Sequence, residues 1–467
     1  LDSGIDYFLP EFRGADGQTR ILAIWDQTQQ PDEKQGRLPP PGYREGVLYT
    51  REMINEALAL GRENGQKLVP VFDLSGHGTA VAGVAAGTGM GVAPKADLLI
   101  IRLGHPQADS FPRTTQLMRG VNYAVNLGVT LNRPVAVNIS FGNTYGDHQG
   151  NSLLERFIDN ASEVGRSVLV IGSGNEGTSR GHTAGIIQQE RRTVELAVGD
   201  YETGLSIQLW KFYQDIFELG ITSPGGEQTT LELSRLREAQ AQRRTLEQTQ
   251  LLCYLGKPLP YNVQQEIFID MIPSGSYINS GVWRLELIPV SLVTGEYRFY
   301  LPSYAARTAT TGFFLPTPEM TITIPSTARR AVTVGAYDIS RKSYADFSGR
   351  GYVYRYNDGR TDTAGGQQII ADVKPDLTAP GVNITVPMPN GGYEQVSGTS
   401  FATPFVTGAA ALLMEWGIVR GNDRFLYGER LKASLIRGAQ PLSGVSDRPD
   451  SRIGWGALCV QRALAGG

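Results

Sequence analysis

The sequence predicts an α/β protein, a doubly wound parallel sheet that carries an inserted antiparallel β jelly-roll domain. Three observations support this fold class. Apolar runs alternate with amphipathic segments early in the chain, apolar and polar residues alternate one by one in its middle, and the first pattern then returns. At 467 residues the chain is too long for one hydrophobic core, so a main domain with an insertion or a second domain is expected.

The predicted parallel strands are short apolar runs with the composition of strands buried on both faces. They comprise residues 98–101, 135–139 and 168–171. Residues 113–128 and 151–165, which lie between them, have helical periodicity and end on glycine. This alternation of strand and helix favours a parallel sheet.

The middle of the chain predicts an antiparallel β domain over residues 182–318, between α/β segments at 1–181 and 319–467. Period-two alternation marks its strands, at residues 193–198, 205–210, 217–222, 229–233, 266–272, 282–288 and 297–301. Residues 329–338 return to the buried-strand pattern. The Arg- and Gln-rich residues 234–250 are expected to form a solvated helix or loop.

Composition excludes several function classes. A net charge of −3 without a basic stripe argues against nucleic acid as a partner, and no apolar run is long enough to span a membrane. Cys253 and Cys459 lack metal-ligand spacing. His105, His148 and His182 have no second ligand at a metal spacing, so they are expected to be ordinary surface or loop residues, with no metal site.

The stretch QVSGTSFATP, residues 395–404, places Ser400 at the start of a predicted buried helix. The helix is indicated by apolar residues that recur every three or four positions, namely Phe401, Phe405, Ala409, Leu412 and Leu413. Pro404 is expected in its first turn, where amide groups lack intrahelical partners. Ser400 would then lie beside backbone donors that favour developing negative charge, although a helix cap or turn is an alternative.

Three further polar residues lie at the ends of predicted strands and helices. Asp2 lies where a strand should end, His77 opens a helix rich in Gly, Ala and Val, and Asn175 lies in a glycine-rich loop after a buried strand. Each alone has a structural explanation as a turn, cap or packing residue. Their joint occurrence with Ser400, in this order, favours a catalytic site.

These stretches resemble the subtilisin-like serine proteases, or subtilases, over about residues 1–181 and 321–467. The motifs GHGTAVAG and SGTSFATPFVTG carry the resemblance. It implies that Asp2, His77 and Ser400 form a catalytic triad and that Asn175 is an oxyanion donor. In that chemistry the histidine takes the serine proton, the aspartate orients the imidazole, and losing one oxyanion donor raises the barrier by about 3–4 kcal/mol.

The resemblance also implies where substrate binds. Ser140, Phe141 and Gly142 would pair with an extended peptide as an added strand, while Ser173 and Gly174 would form a wall of the pocket for the residue before the scissile bond. A purely structural role for Phe141 in the core is the alternative.

A narrower resemblance is to the clostridial Csp germination proteases, carried by GNEGTSRGHTAG, LSIQLWKFYQDIFELGITSPGGE and GWGALCV. In that subgroup a jelly roll packs on the subtilase domain, and active members process a cortex-lytic proenzyme during spore germination. Some members have lost triad residues, whereas this chain retains all three. The resemblance implies an extracellular, cell-envelope or spore-associated protein without a required cofactor. It leaves open structural calcium, whose ligands a single sequence does not reveal.

The expected partners are a protein or peptide substrate and the protein's own cleaved N-terminal prodomain, which the family normally makes. The strand that should lead into Asp2 is also expected to lie upstream, because its loss would leave ladder partners and apolar surface uncovered. Two rival functions remain. One is a catalytically silent, partner-binding regulator, and the other is a glycan-binding surface protein that uses aromatic residues of the β domain, Trp210, Tyr213, Trp283 and Tyr297.

Overall fold

The computed structural model describes residues 1–103, 113–235, 241–257, 259–357 and 368–465. Two compact units are formed. Unit 1 comprises Leu1–Gly142, Leu153–Gly174 and Pro325–Gly467, and unit 2 comprises Asn143–Ser152 and Asn175–Ile324. The domain boundaries predicted from the sequence, 1–181, 182–318 and 319–467, stay a prediction.

The described elements are numbered in chain order. The helices are α1 (Arg51–Ala59), α2 (Gly61–Leu68), α3 (His77–Ala86), α4 (Thr114–Thr130), α5 (Leu153–Ala161), α6 (Thr399–Met414), α7 (Gly428–Gly438) and α8 (Val460–Ala465). The strands are β1 (Ile21–Asp26), β2 (Val47–Thr50), β3 (Leu98–Arg102), β4 (Val135–Ile139), β5 (Ser167–Gly172), β6 (His182–Ile186), β7 (Arg192–Val198), β8 (Leu205–Phe212), β9 (Ile216–Thr222), β10 (Gln228–Leu231), β11 (Gln242–Leu246), β12 (Thr249–Leu255), β13 (Gln264–Pro273), β14 (Gly281–Ser291), β15 (Glu296–Tyr300), β16 (Gly312–Phe313), β17 (Val332–Asp338), β18 (Ser343–Tyr344), β19 (Tyr352–Asn357), β20 (Gln368–Lys374), β21 (Leu377–Pro380), β22 (Ile384–Pro387) and β23 (Tyr393–Val396).

Unit 1 contains the predicted parallel strands in two sheets. One sheet has the order β2-β1-β3, and the other has the order β18-β17-β5-β4 with β21 beside β17. The pairs β1–β3, β4–β5, β5–β17 and β17–β21 are parallel. The predicted strands at residues 98–101, 135–139 and 168–171 are β3, β4 and β5, and the two predicted helices are α4 and α5, so this part of the prediction is confirmed.

Helices cover both faces of the parallel sheet, as β5 shows. Val168 and Val170 pack in a core with residues of α6 and α7, whereas Leu169 and Ile171 pack in a core with residues of α4 and α5. Successive side chains of a strand point to opposite faces, so a strand buried on both sides must be apolar throughout. This explains why β5 is a continuous apolar run.

The predicted buried helix is α6, but its proline lies further along than expected. Pro404 is the sixth residue of a helix that begins at Thr399, so it lies in the second turn and not the first. Within the described residues, only the continuous helical stretch Thr399–Val419 has the length and composition of a membrane span. Because 61% of its most apolar window is buried in the protein, it has the character of a core helix.

Unit 2 consists of two antiparallel sheets that share one apolar core. Their strand orders are β10-β9-β14-β7-β16 and β11-β12-β13-β8-β15-β6. Both sheets contribute to the core, for example Leu285 of β14 and Ile269 of β13. Part of the segment expected to be a solvated helix or loop is instead strand β11, which pairs with β12. Cross-strand pairing overrode the helical bias of its long polar side chains.

Two histidines that were expected to be ordinary surface or loop residues are buried in unit 2, so a surface position was wrong for both, and His182 lies in β6 and not in a loop. His148 and His182 are 0% and 2% exposed. Both rings stack on Tyr300, with centroids 3.9 and 4.4 Å away. Backbone carbonyl oxygens lie beside both ring nitrogens of His148 and beside Nδ1 of His182, the latter with Thr317 O at 3.0 Å. His105 lies outside the described residues.

We expect the protein to lose thermal stability as the pH falls from about 7 to about 4, because His182 is buried as a neutral ring. Burial lowers the pKa of His182 from 6.5 to about 3. Between these values the unfolded state binds the extra proton and the folded state does not, so stability is lost as the pH falls below 6.5.

The measurement is the melting temperature across this pH range for the natural protein and for His182→Gln, whose amide can still donate to Thr317 O. The variant should show the shallower pH dependence. Identical slopes for the two proteins would contradict this account.

Candidate active site

Asp2 and His77 are joined by a short hydrogen bond. Asp2 is held beside β3 because its N–H donates to Ile101 O at 3.0 Å and its carbonyl accepts from Leu103 N at 2.9 Å. His77 is the first residue of α3, and its Nδ1 lies 2.7 Å from Asp2 Oδ1. A carboxylate at Nδ1 favours the tautomer that carries its proton there, which leaves Nε2 as the basic nitrogen.

The electrostatic environment favours a proton on His77. Burial disfavours the imidazolium, but the charge and hydrogen bond of Asp2, together with the charge of Asp73, outweigh it and raise the pKa of His77. For Asp2, burial disfavours the carboxylate, but His77 outweighs this and lowers the pKa of Asp2. The pair is therefore suited to hold a proton on the imidazole while the carboxylate stays ionised.

Asp73 is a buried carboxylate that sequence reasoning missed. Its Oδ2 accepts from the N–H of Thr79 at 2.7 Å and from the Thr79 hydroxyl at 2.6 Å, while its Oδ1 accepts from Gly76 N at 3.1 Å. These donors lie at the beginning of α3, where amide groups have no intrahelical partners. Asp73 therefore fixes the turn that presents His77. The sequence feature that could have indicated this role is the position of Asp73 four residues before His77.

Ser3 connects this carboxylate to Asp2 and was also missed. Its N–H donates to Asp2 Oδ1 at 2.8 Å, and its hydroxyl donates to Asp73 Oδ1 at 2.8 Å. The same hydroxyl accepts from Gly78 N at 3.0 Å. One small residue thus ties the Asp2 segment to the first turn of α3, which keeps the Asp2–His77 geometry in place.

Ser400 lies in the first turn of α6 and exchanges hydrogen bonds with Ser140. Ser400 Oγ donates to Ser140 O at 2.9 Å, and Ser140 Oγ donates to Ser400 O at 2.9 Å. The second bond is possible because Pro404 has no N–H to donate to the carbonyl four residues before it. Among the described residues, no hydrogen bond joins Ser400 Oγ to His77, although the ring of the adjacent Phe401 lies 5.5 Å from that of His77.

A polar chain from the middle of α6 holds Ser140. Thr407 Oγ1 donates to Asn138 Oδ1 at 2.8 Å, and Asn138 Nδ2 donates to Ser140 Oγ at 2.8 Å. Asn138 belongs to β4, so the sheet and the helix together set the position of the Ser140 hydroxyl. The same chain therefore positions the Ser400 backbone.

The residues expected to bind substrate lie at the carboxyl ends of β4 and β5. Ser140, Phe141 and Gly142 follow the last β4 residue that pairs with β5, and Phe141 is half-buried against the α4–α5 core. Gly174 donates its N–H to Thr399 Oγ1 at 3.1 Å, next to Ser400 in sequence. Ser173 is buried, and its hydroxyl lies 3.3 Å from that of Ser348.

Asn175, the expected oxyanion donor, belongs to unit 2 and is exposed. It directly follows Gly174, the last residue of its unit 1 segment. Its role stays a prediction. No cluster of three or more His, Cys, Asp or Glu suited to a metal ion occurs in the described part of the chain. The expectation that no cofactor is required also stays a prediction.

Comparison with known proteins identifies the family. The chain matches the Subtilase family over residues 1–253 and 316–456. Its structure superposes on the Clostridium perfringens CspB protease with a TM-score of 0.85 and 34% sequence identity, covering 99% of this chain and 91% of that chain. This agreement confirms the α/β subtilase fold and the likeness to Csp proteases that the sequence predicted.

Two curated relatives that match the chain are longer proteins. The minor extracellular protease Vpr of Bacillus subtilis is 23% identical over 489 residues, which cover 99% of this chain and 50% of Vpr. The PII-type proteinase of Lactococcus lactis subsp. cremoris is 43% identical over 63 residues, which are 14% of this chain and 3% of that proteinase. The chain thus spans half or less of the length of these two relatives. On the family match and the likeness to CspB, the chain belongs to the subtilase family of subtilisin-like serine proteases.

Proposed function

We propose that this protein is a serine endopeptidase that hydrolyses peptide bonds in protein substrates through an Asp2–His77–Ser400 triad and an acyl-enzyme intermediate. The observation that carries the proposal is the 2.7 Å hydrogen bond between residues 75 positions apart, Asp2 and His77. Family membership and the position of Ser400 in the first turn of α6 support it further.

In the proposed reaction His77 moves one proton. As Ser400 Oγ attacks the substrate carbonyl carbon, its hydroxyl proton passes to His77 Nε2, and the imidazolium is stabilised by Asp2. The imidazolium then donates this proton to the leaving amine, the C–N bond breaks, and the acyl group remains on Ser400. In the second half of the reaction, water attacks the ester carbon while His77 takes a proton from it. His77 then returns the proton to Ser400 Oγ as the acid product leaves. Before attack, the Ser400 hydroxyl must turn away from Ser140 O, to which it donates in the structure.

The negative charge that develops on the substrate oxygen would be stabilised by two donors. We assign these to the side-chain amide of Asn175 and the backbone N–H of Ser400. The amino end of α6 adds a favourable electrostatic contribution, because helix amino termini stabilise anions.

The substrate would bind as an extended peptide along Ser140–Gly142, with Ser173 and Gly174 beside the residue before the scissile bond. We further propose that the reaction is the processing of a proenzyme, as in spore germination, which the resemblance to the Csp germination proteases implies, and that the protein's own cleaved N-terminal prodomain is a second partner. The glycan-binding alternative loses support, because Trp210, Trp283 and Tyr297 are buried.

Digestion of casein tests the proposed activity. Ser400→Ala and His77→Ala should each lower the initial rate by about 10⁴-fold or more, because the first variant lacks the nucleophile and the second lacks the base that activates it. Ser443→Ala, which removes an exposed hydroxyl elsewhere, should retain full activity. Equal activity in Ser400→Ala and the natural protein would refute the assignment.

The oxyanion assignment predicts that Asn175→Ala lowers kcat by about 10²–10³-fold with little change in KM, because the lost donor acts mainly in the transition state. Steady-state kinetics on a chromogenic peptide measure this effect. Asn64→Ala, an exposed asparagine of α2, is the matched control. A rise in KM with unchanged kcat would assign Asn175 to substrate binding instead.

Asp73 should set the pH dependence of acylation as a positioning residue. Its negative charge helps to raise the pKa of His77, so Asp73→Asn should lower that pKa. His77 acts as a base only when neutral, and the pH of half-maximal acylation should therefore move to lower values in the variant. The measurement is the rate of fluorophosphonate labelling against pH.

Asp16→Asn, which neutralises an exposed carboxylate, is the control and should leave this midpoint unchanged. A loss of rate in Asp73→Asn without a shift of the midpoint would show that Asp73 acts through structure alone.

A further inference from the structure

The loop of residues 175–181 carries the proposed oxyanion donor Asn175 and begins the second segment of unit 2. Ser179 donates twice to the carbonyl of Glu176, from its N–H at 3.2 Å and from its hydroxyl at 3.0 Å. These two bonds close a turn directly after Asn175. The position of Asn175 therefore depends on the groups that hold Glu176 and Ser179.

Glu176 is a buried carboxylate that ties one side of this turn to the far end of the β domain. Its two carboxylate oxygens share the N–H of Tyr304, at 3.1 and 3.2 Å. Tyr304 begins the single 3₁₀ turn Tyr304–Ala306 and lies 128 positions further along the chain. A buried carboxylate needs such a donor, because its desolvation is otherwise uncompensated.

Arg307 ties the other side of the turn to the same segment. Its guanidinium donates to three backbone carbonyls, those of Ser179 at 2.7 Å, Pro302 at 2.9 Å and Thr311. Arg307 and Glu176 are each only 8% exposed. A guanidinium presents its donors in fixed directions, so three carbonyls that converge on it define its orientation.

Glu202 holds the segment that presents Arg307. Its Oε2 accepts from the N–H and the hydroxyl of Thr308, at 3.0 and 2.8 Å, and from the hydroxyl of Thr311 at 2.6 Å. Burial lowers the pKa of Arg307, and the charges of Glu176 and Glu202 oppose this effect. Both carboxylates thus stabilise the buried cation whose donors reach the loop.

The loop also packs closely against this guanidinium. A Cβ atom added at Gly181 would lie 2.9 Å from Arg307 Nη2 and 3.2 Å from Ser179 Oγ. Interiors packed this closely transmit a displacement of one group to its neighbours. A shift of the guanidinium would therefore move Ser179 and the turn that follows Asn175.

We infer that Arg307 is a positioning residue for oxyanion stabilisation, which sets the place of Asn175 through its hydrogen bond to Ser179 O. An oxyanion donor has to lie about 2.7–3.1 Å from the developing anion. A misplacement of about 1 Å in an enzyme site can cost about 10²-fold in rate. The inference rests on the proposed role of Asn175 and gives the inserted β domain a part in the reaction.

Removal of the Arg307 donors tests the inference. Arg307→Met keeps an unbranched side chain and should lower kcat on the chromogenic peptide by about 10–10²-fold, with KM changed by less than about twofold. Arg307→Lys, which keeps the charge and three donors, should recover part of this loss. Arg284→Met, at an exposed position of β14, is the control and should retain full kcat.

A double-mutant cycle separates positioning from general support of the fold. In a chain that already carries Asn175→Ala, Arg307→Met should lower kcat further by less than about twofold, because the donor that it positions is gone. An equal loss in both backgrounds would overturn the inference and leave the proposed function intact. An unchanged kcat in Asn175→Ala alone would instead refute the oxyanion assignment, and the inference with it.

Gly181→Ala provides a second test that retains every hydrogen-bonding group, in case Arg307→Met does not fold. Its methyl group would force the guanidinium to shift, so kcat should fall by about 3–10-fold in the natural background and stay the same in the Asn175→Ala background. Gly275→Ala, where the added atom meets open space, is the matched control. Full kcat in folded Gly181→Ala, or a loss confined to KM, would contradict the inference.

Discussion

The hydrogen bond between Asp2 and His77 is the interaction on which the rest of the site depends. Asp2 belongs to an extended segment and His77 begins α3, and the hydrogen bond requires Asp2 Oδ1 and His77 Nδ1 to lie 2.7 Å apart. The ladder bonds to β3 fix the first partner, and Asp73 fixes the second by accepting from the turn that begins α3. In enzyme sites a displacement of about 1 Å can cost about 10²-fold in rate, so these structural bonds act directly on the proposed chemistry.

Helix α6 combines core packing with presentation of a nucleophile. Its small residues allow close contact with α3, since a side chain at Gly408 would meet Ala85 O at 2.7 Å. Pro404 removes one intrahelical bond, and the carbonyl of Ser400 is instead bonded by Ser140. The serine is thereby tied to β4 through its own backbone. The helix and the sheet edge therefore position the nucleophile together, and neither element does so alone.

Sequence periodicity predicted the buried strands, the main helices and the antiparallel character of the middle of the chain. A strand buried on both faces is apolar throughout, whereas a strand or helix buried on one face has apolar residues at a regular spacing. Motifs indicated Asp2, His77 and Ser400, and the structure joins the first two. The roles of Asp73 and Ser3 left no such pattern, since an aspartate or serine beside a turn looks the same whether it caps a helix or couples two catalytic segments. The burial of His148 and His182 was missed for a related reason, because the backbone carbonyls beside Nδ1 of each ring, Ile322 O and Thr317 O, are distant in sequence.

The most direct test of the central claim is whether Ser400 is an activated nucleophile. Intact-mass spectrometry after treatment with phenylmethanesulfonyl fluoride, on the native protein and on Ser400→Ala, measures this in one step. If His77 activates Ser400, the native protein should carry a single adduct and the variant none. No adduct on folded native protein, or the same adduct on both proteins, would contradict it and favour a catalytically silent, partner-binding role.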